Sequence, residues 1–101
     1  MHGITELLSR AGGGDSVAAN ELYGRLYPDI KRIARARLAE AGGITGLDAT
    51  ALVHEGFLRM ADAEGLRGTT RGQFFAYVGR VLRTAVIDHL LAKHAQRRGG
   101  D

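Results

Sequence analysis

Residues 69–98 read TTRGQFFAYVGRVLRTAVIDHLLAKHAQRR. Thr70 and Gln73 form a T-x-x-Q capping box ahead of an apolar run, which predicts a helix start. From there Phe74, Val78, Val81, Leu82 and Ala85 recur at helical intervals, and no Pro interrupts them. The segment carries Arg71, Arg80, Arg83, Lys93, Arg97 and Arg98 against a single acid, Asp88. A long helix that is apolar on one side and basic elsewhere is expected to be a core element presenting charge to a polyanion. Within it, residues 85–92 (AVIDHLLA) are apolar nearly all round. Either neighbouring helices cover that stretch on more than one side, or Ile87 and Leu91 await a partner.

Working outward, glycine pairs and triplets divide the rest of the chain. Breaks are expected at 12–14, 42–43 and 99–100, with a further loop at 63–72 containing Gly65, Gly68 and Gly72. The pieces between them read as helices at about 4–11, 15–41, 49–61 and 71–97, and no segment alternates like a strand. Ile4, Leu7 and Leu8 carry the first. Asp15 or Ser16 is a good cap for the second, whose Leu22, Leu26, Ile30, Ile33, Ala34 and Leu38 share one face. Pro28 removes a backbone donor there and predicts a kink or break. Lys31, Arg32 and Arg35 lie away from that face, either as a solvated surface or toward a polyanion. Arg37 falls nearer the apolar edge and is expected to snorkel out.

In the third piece Ala49, Val53, Phe57 and Met60 cover one side of the helical wheel. Asp48, Glu55, Arg59 and Asp62 form a band on the other, flanked by Leu52 and Leu58. Glu55 and Arg59 are spaced i,i+4 in the order that favours pairing. On spacing alone the band fits an ordinary solvent face, with an acidic docking strip for a basic partner helix as the functional alternative.

The chain has 101 residues, 25% charged and 45% hydrophobic, which suits one soluble domain with a modest core. The net charge is only +3, but it is segregated. Residues 71–98 hold six bases and one acid, whereas 48–64 hold Asp48, Glu55, Asp62 and Glu64 against Arg59 alone. Segregation favours two different surfaces or partners. No cysteine is present, so disulfides and thiolate metal sites are excluded. No apolar run approaches a membrane span, and MHGITELLSR lacks the basic start and apolar core of a signal peptide. A cytoplasmic protein without membrane partners is expected.

Catalytic chemistry is not expected. His54, His89 and His94 form no metal pattern, and His89 and His94, at i,i+5, point away from each other. His54 and Glu55 are adjacent, so they project about 100° apart and do not act as a local pair. The glycines do not have the spacing of a phosphate loop followed by Lys-Ser/Thr. The expectation is a non-enzyme with no cofactor and no metal.

Residues 48–60, DATALVHEGFLRM, resemble the DAEDLVQEVFLRL-type signature in region 2 of bacterial RNA polymerase sigma factors of the extracytoplasmic-function (ECF) class. They are most similar to an ECF-like subgroup in which the string reads TALVHEAYLRL. Residues 27–38, YPDIKRIARARL, are similar to that family's YPxLRRxARRRL stretch. Residues 73–100 resemble its HFFAxAARxMRRILVDHARxRxAxKRGG end. The likeness covers about 4–100, in order and with matching gaps.

The resemblance implies a compact all-α bundle of about four helices, of the sigma region 2 type. It implies docking on the clamp helices of the core RNA polymerase β′ subunit through Asp48, Leu52, His54, Glu55, Leu58 and Arg59. It also implies binding and melting of the promoter minus-ten element, with an unpaired non-template base held by loop 63–72 and the helix after it. The DNA-binding positions are Arg71, Tyr77, Arg80, Arg83, Thr84, His89 and Lys93; Tyr77 is also the rim aromatic best suited to stacking. The Lys31, Arg32, Arg35 and Arg37 run would lie near the DNA backbone or the clamp. An anti-sigma protein is a further candidate partner.

Ala51 stands where many ECF members have Asp, His54 replaces Gln, and Thr84 occupies a position commonly Asn or Arg. No match to the helix-turn-helix region 4 is found, so a truncated form or a free-standing region 2 protein is expected. The alternative is a helical interaction module, self-associating through 85–92, that keeps the sigma fold without promoter recognition.

Overall fold

Four helices follow one another: α1 (Ile4–Gly12), α2 (Ser16–Glu40), α3 (Ala49–Arg59) and α4 (Arg71–Gly99). The computed structural model describes residues 3–42, 46–60 and 70–99, and no strand occurs among them. Asp62 of the acidic band and residues 63–69 of the loop expected to hold a base lie outside the described residues.

The starts of α2, α3 and α4 follow from local signals. Asp15 Oδ1 accepts the Ala18 N–H at 3.0 Å and so caps α2. Asp48 Oδ1 accepts the Ala51 N–H at 2.7 Å and caps α3. At α4 the capping box closes in both directions. The Gln73 N–H donates to Thr70 Oγ1 at 3.1 Å, and the Thr70 N–H donates to Gln73 Oε1 at 2.9 Å. The turns after α1 and α2 use Gly14 and Gly42 at φ +97° and +74°, backbone that residues with a Cβ rarely adopt.

α2 runs through Pro28 rather than ending there. Gly24, whose carbonyl loses its usual donor four residues on, is exposed, and so is Pro28. The freed carbonyl therefore lies on the solvated side of the helix, where water satisfies it.

All four helices feed one core, in which Leu7, Leu8, Leu22, Ile30, Leu52, Met60, Phe74, Val78 and Leu82 are buried. Two glycines allow close approach to α4. A Cβ on Gly56 of α3 would lie 2.6 Å from Leu82 Cδ2, and one on Gly79 would lie 3.2 Å from Arg37 Nη2. Arg37 thus lies across Gly79 of α4, with Nη1 on Glu40 Oε1 at 2.7 Å. At the far end of α3 the Tyr23 hydroxyl donates to the Met60 carbonyl at 3.2 Å, and its ring stacks on Phe57 at 5.0 Å. Burial raises the Tyr23 phenol above its ordinary value of 10.0, with a smaller contribution from Tyr77.

The molecule measures 54 × 21 × 19 Å. Its long axis fits α4, whose 29 residues span roughly 43 Å. Dense packing on that helix ends at Val86. The 85–92 stretch is therefore not covered all round. Ala85 and Val86 are buried and His89 and Leu90 half-buried, but Ile87 is 45% and Leu91 62% exposed.

Candidate functional site

α3 presents a surface different from the one its wheel suggested. Leu52, expected to flank the docking band, is 0% exposed and belongs to the core. Gly56, one turn later on the same stripe and also buried, lacks a side chain and brings Leu82 of α4 close to this side of α3. A side chain with no accessible surface makes no contact across an interface. The exposed sector instead holds Thr50, Ala51, His54 and Leu58, the last 62% exposed. Asp48 is also exposed, but one of its oxygens is committed to the cap.

Glu55 and Arg59 form the edge of α3 that faces α4. Arg59 Nε donates to Glu55 Oε1 at 3.2 Å, the expected i,i+4 pair, and Nη1 donates to Asp88 Oδ2 of α4 at 2.9 Å. The Asp88 hydrogen bond is the main reason that Arg59 holds its proton more tightly than an ordinary guanidinium, with Glu55 adding to it. This cross-helix pair joins the two faces of interest.

On α4, Arg80, Arg83 and Thr84 are all exposed and share one stripe by their i,i+3 and i,i+4 spacing. Ile87 and Leu91 continue it, and Tyr77 lies half-buried at its margin. His89 and Lys93 do not belong to it. Nine residues after Arg80, His89 falls about half a turn away, toward the bundle, and both His89 and Lys93 are half-buried. The Lys93 ammonium lies 3.0 Å from where a Cβ of Gly46 would be, against the turn that precedes α3. The DNA-binding set expected from the sequence thus splits between two sides of one helix.

Arg71 occupies a third position, in the first turn of α4. Its guanidinium lies 5.6 Å over the Phe75 ring. Beside it a groove of about 420 Å³ opens between α2 and α4, lined by Asp29, Arg32, Ile33, Arg71, Gly72 and Phe75. Arg32 Nη2 pairs with Asp29 Oδ1 at 3.3 Å. The Arg71 guanidinium over an apolar floor, beside the Arg32–Asp29 pair, suits a flat group that stacks.

Sequence reasoning missed Asp88 as a partner of Arg59, although its position as the lone acid of 71–98 was a signal. It also missed Tyr23 as the anchor of the end of α3, for which no local signal exists. Among the described residues no group of three or more His, Cys, Asp or Glu is placed to hold a metal ion.

The decisive comparison covers the whole chain: the family model described as ECF sigma factor matches residues 1–101. The chain belongs to the ECF sigma factor family. No curated protein and no solved structure matches it. ECF sigma factors are transcription initiation factors, which act with core RNA polymerase on promoter DNA, usually under anti-sigma control, and are not enzymes. The four-helix, strand-free architecture of the described residues is consistent with region 2 of an ECF sigma factor. Among those residues no helix is long and apolar enough to cross a membrane.

Proposed function

We propose that this ECF sigma factor chain docks on the clamp helices of the β′ subunit through α3 and binds the unpaired non-template strand of the minus-ten element through α4. Docking uses His54 and Leu58 at its centre, with Glu55, Arg59 and Asp48 along its edge. Strand binding uses Arg80, Arg83 and Thr84, with Tyr77 at the margin and Arg71 at the groove. The observation that carries the proposal is the juxtaposition of two unlike exposed faces. An apolar–acidic face on α3 adjoins a basic one on α4, across the Arg59–Asp88 pair.

The chemistry suits each task. A partly acidic helix face with an exposed leucine complements a basic amphipathic helix. Arg80 and Arg83 suit strand phosphates, each contact releasing counterions. The groove beside Arg71 and Phe75 offers stacking and a cation to a base extruded from the duplex.

The test is a binding measurement with a β′ clamp-helix fragment, alongside single-stranded minus-ten oligonucleotides. Wild type is expected to bind the fragment at least tenfold more tightly than Glu55→Arg, a charge reversal at the interface. Equal binding by the two proteins overturns the docking role. Strand binding that is absent, or indifferent to salt, overturns the DNA role.

A further inference from the structure

Asp88 is the one acidic residue between 71 and 98, and it sits on the helix assigned to the strand. A Cα–Cβ bond leans toward the helix N-terminus, and residues i and i+4 share a face. The Asp88 carboxylate therefore lies beside Thr84, at the edge of the Arg80–Arg83–Thr84 stripe. Its side chain is 51% exposed. Left bare, that charge faces the same solvent sector as the strand phosphates and repels them.

It is not bare. Arg59 Nη1 reaches across from α3 to Asp88 Oδ2 at 2.9 Å, while Arg59 Nε keeps Glu55 Oε1 at 3.2 Å. The contact to Asp88 is the shorter of the two. Arg59 thus lies along the α3–α4 seam, with its Nε and Nη1 on two carboxylates of this chain.

We propose that Arg59 is the fixed counter-ion of Asp88, a positioning residue for strand binding that acts from the docking helix by keeping α4 free of negative charge. The inference rests on the proposed strand-binding role of α4. Arg59 touches no phosphate in this scheme; its effect passes entirely through Asp88.

The experiment is a fluorescence-anisotropy titration of a labelled single-stranded minus-ten oligonucleotide at low salt. It uses the full chain as wild type, Arg59→Gln, Asp88→Asn and the double variant. Arg59→Gln is expected to weaken binding about three- to tenfold. Asp88→Asn is expected to bind as tightly as wild type or more tightly. The double variant is expected to recover to within about twofold of Asp88→Asn, because no carboxylate is left to neutralise. A double variant as weak as Arg59→Gln overturns the proposal, since Arg59 then acts on the strand or the fold directly. Unchanged binding by Arg59→Gln also overturns it while leaving the strand-binding role intact. Failure of wild type to bind removes that role itself, so the two failures are separable. Thermal unfolding of all four proteins accompanies the titration, and recovery of binding without recovery of Tm separates the electrostatic effect from a structural one.

Discussion

A Cβ on Gly56 would lie 2.6 Å from Leu82 Cδ2, so α3 and α4 meet where one of them has no side chain. This contact sets α3, the proposed docking helix, beside α4, the helix proposed to bind the strand. Leu82 Cδ2 is the end of a movable side chain, so Gly56→Ala forces a small shift but gains about 1 kcal/mol of helix propensity. Its unfolding free energy in urea is expected to stay within about 1 kcal/mol of wild type. Gly56→Val places a branched side chain in the same space and is expected to destabilise by about 1–3 kcal/mol. A Val variant as stable as wild type would contradict the close approach.

Leu52 and Leu58 differ by six positions and by their whole surroundings, one 0% and the other 62% exposed. Leu52→Ala is expected to lower stability by about 2–5 kcal/mol, as deletion of a buried leucine does. Leu58→Asp is expected to change stability by less than about 0.5 kcal/mol while reducing binding to a clamp-helix fragment at least tenfold. Denaturant unfolding and a direct binding assay read the two separately. A stable Leu58→Asp protein that still docks at wild-type strength would remove Leu58 from the interface.

Arg83 and His89 lie on different sides of α4. Arg83→Ala is expected to weaken single-strand binding and to reduce the slope of log K against log salt by about 0.7, the share of one phosphate contact to a single strand. His89→Ala is expected to leave both affinity and slope unchanged. The reverse pattern would place the strand on the bundle side of the helix.

Asp15 couples the cap of α2 to pH. The Ala18 N–H and, next, the Arg10 guanidinium hold its carboxyl below the ordinary 3.8. A depressed carboxylate contributes stability that is present above 3.8 and is lost as pH falls through the folded-state value. Asp15→Asn keeps a capping oxygen without the charge. Its Tm is expected to fall below wild type at neutral pH and to converge with it in acid, below that window. A gap that persists undiminished at low pH would assign the difference to the hydrogen bonds alone.

Much of the architecture was legible because the signals are local. The Thr70–Gln73 box, the Asp15 cap, the glycine breaks and the core stripe of Phe74, Val78, Leu82 and Ala85 each depend on residues within a turn or two of one another. Pro28 is the exception. It predicts a kink or a break, and of the two the break does not occur, because the carbonyl it orphans lies on the solvated side.

Helical spacing gives the angle between two residues on one helix, but not which sector a neighbouring helix will cover. The amino-acid order by itself therefore determined the four helices, the caps of α2 and α4 and the exposed Arg80–Arg83–Thr84 stripe. It also set the segregation of acid on α3 from base on α4. Only the tertiary structure decided that Leu52 is core, that His89 and Lys93 are half-buried, and that Arg59 reaches Asp88. The last depends on where α3 lies against α4, and the two come close where Gly56 leaves out a side chain.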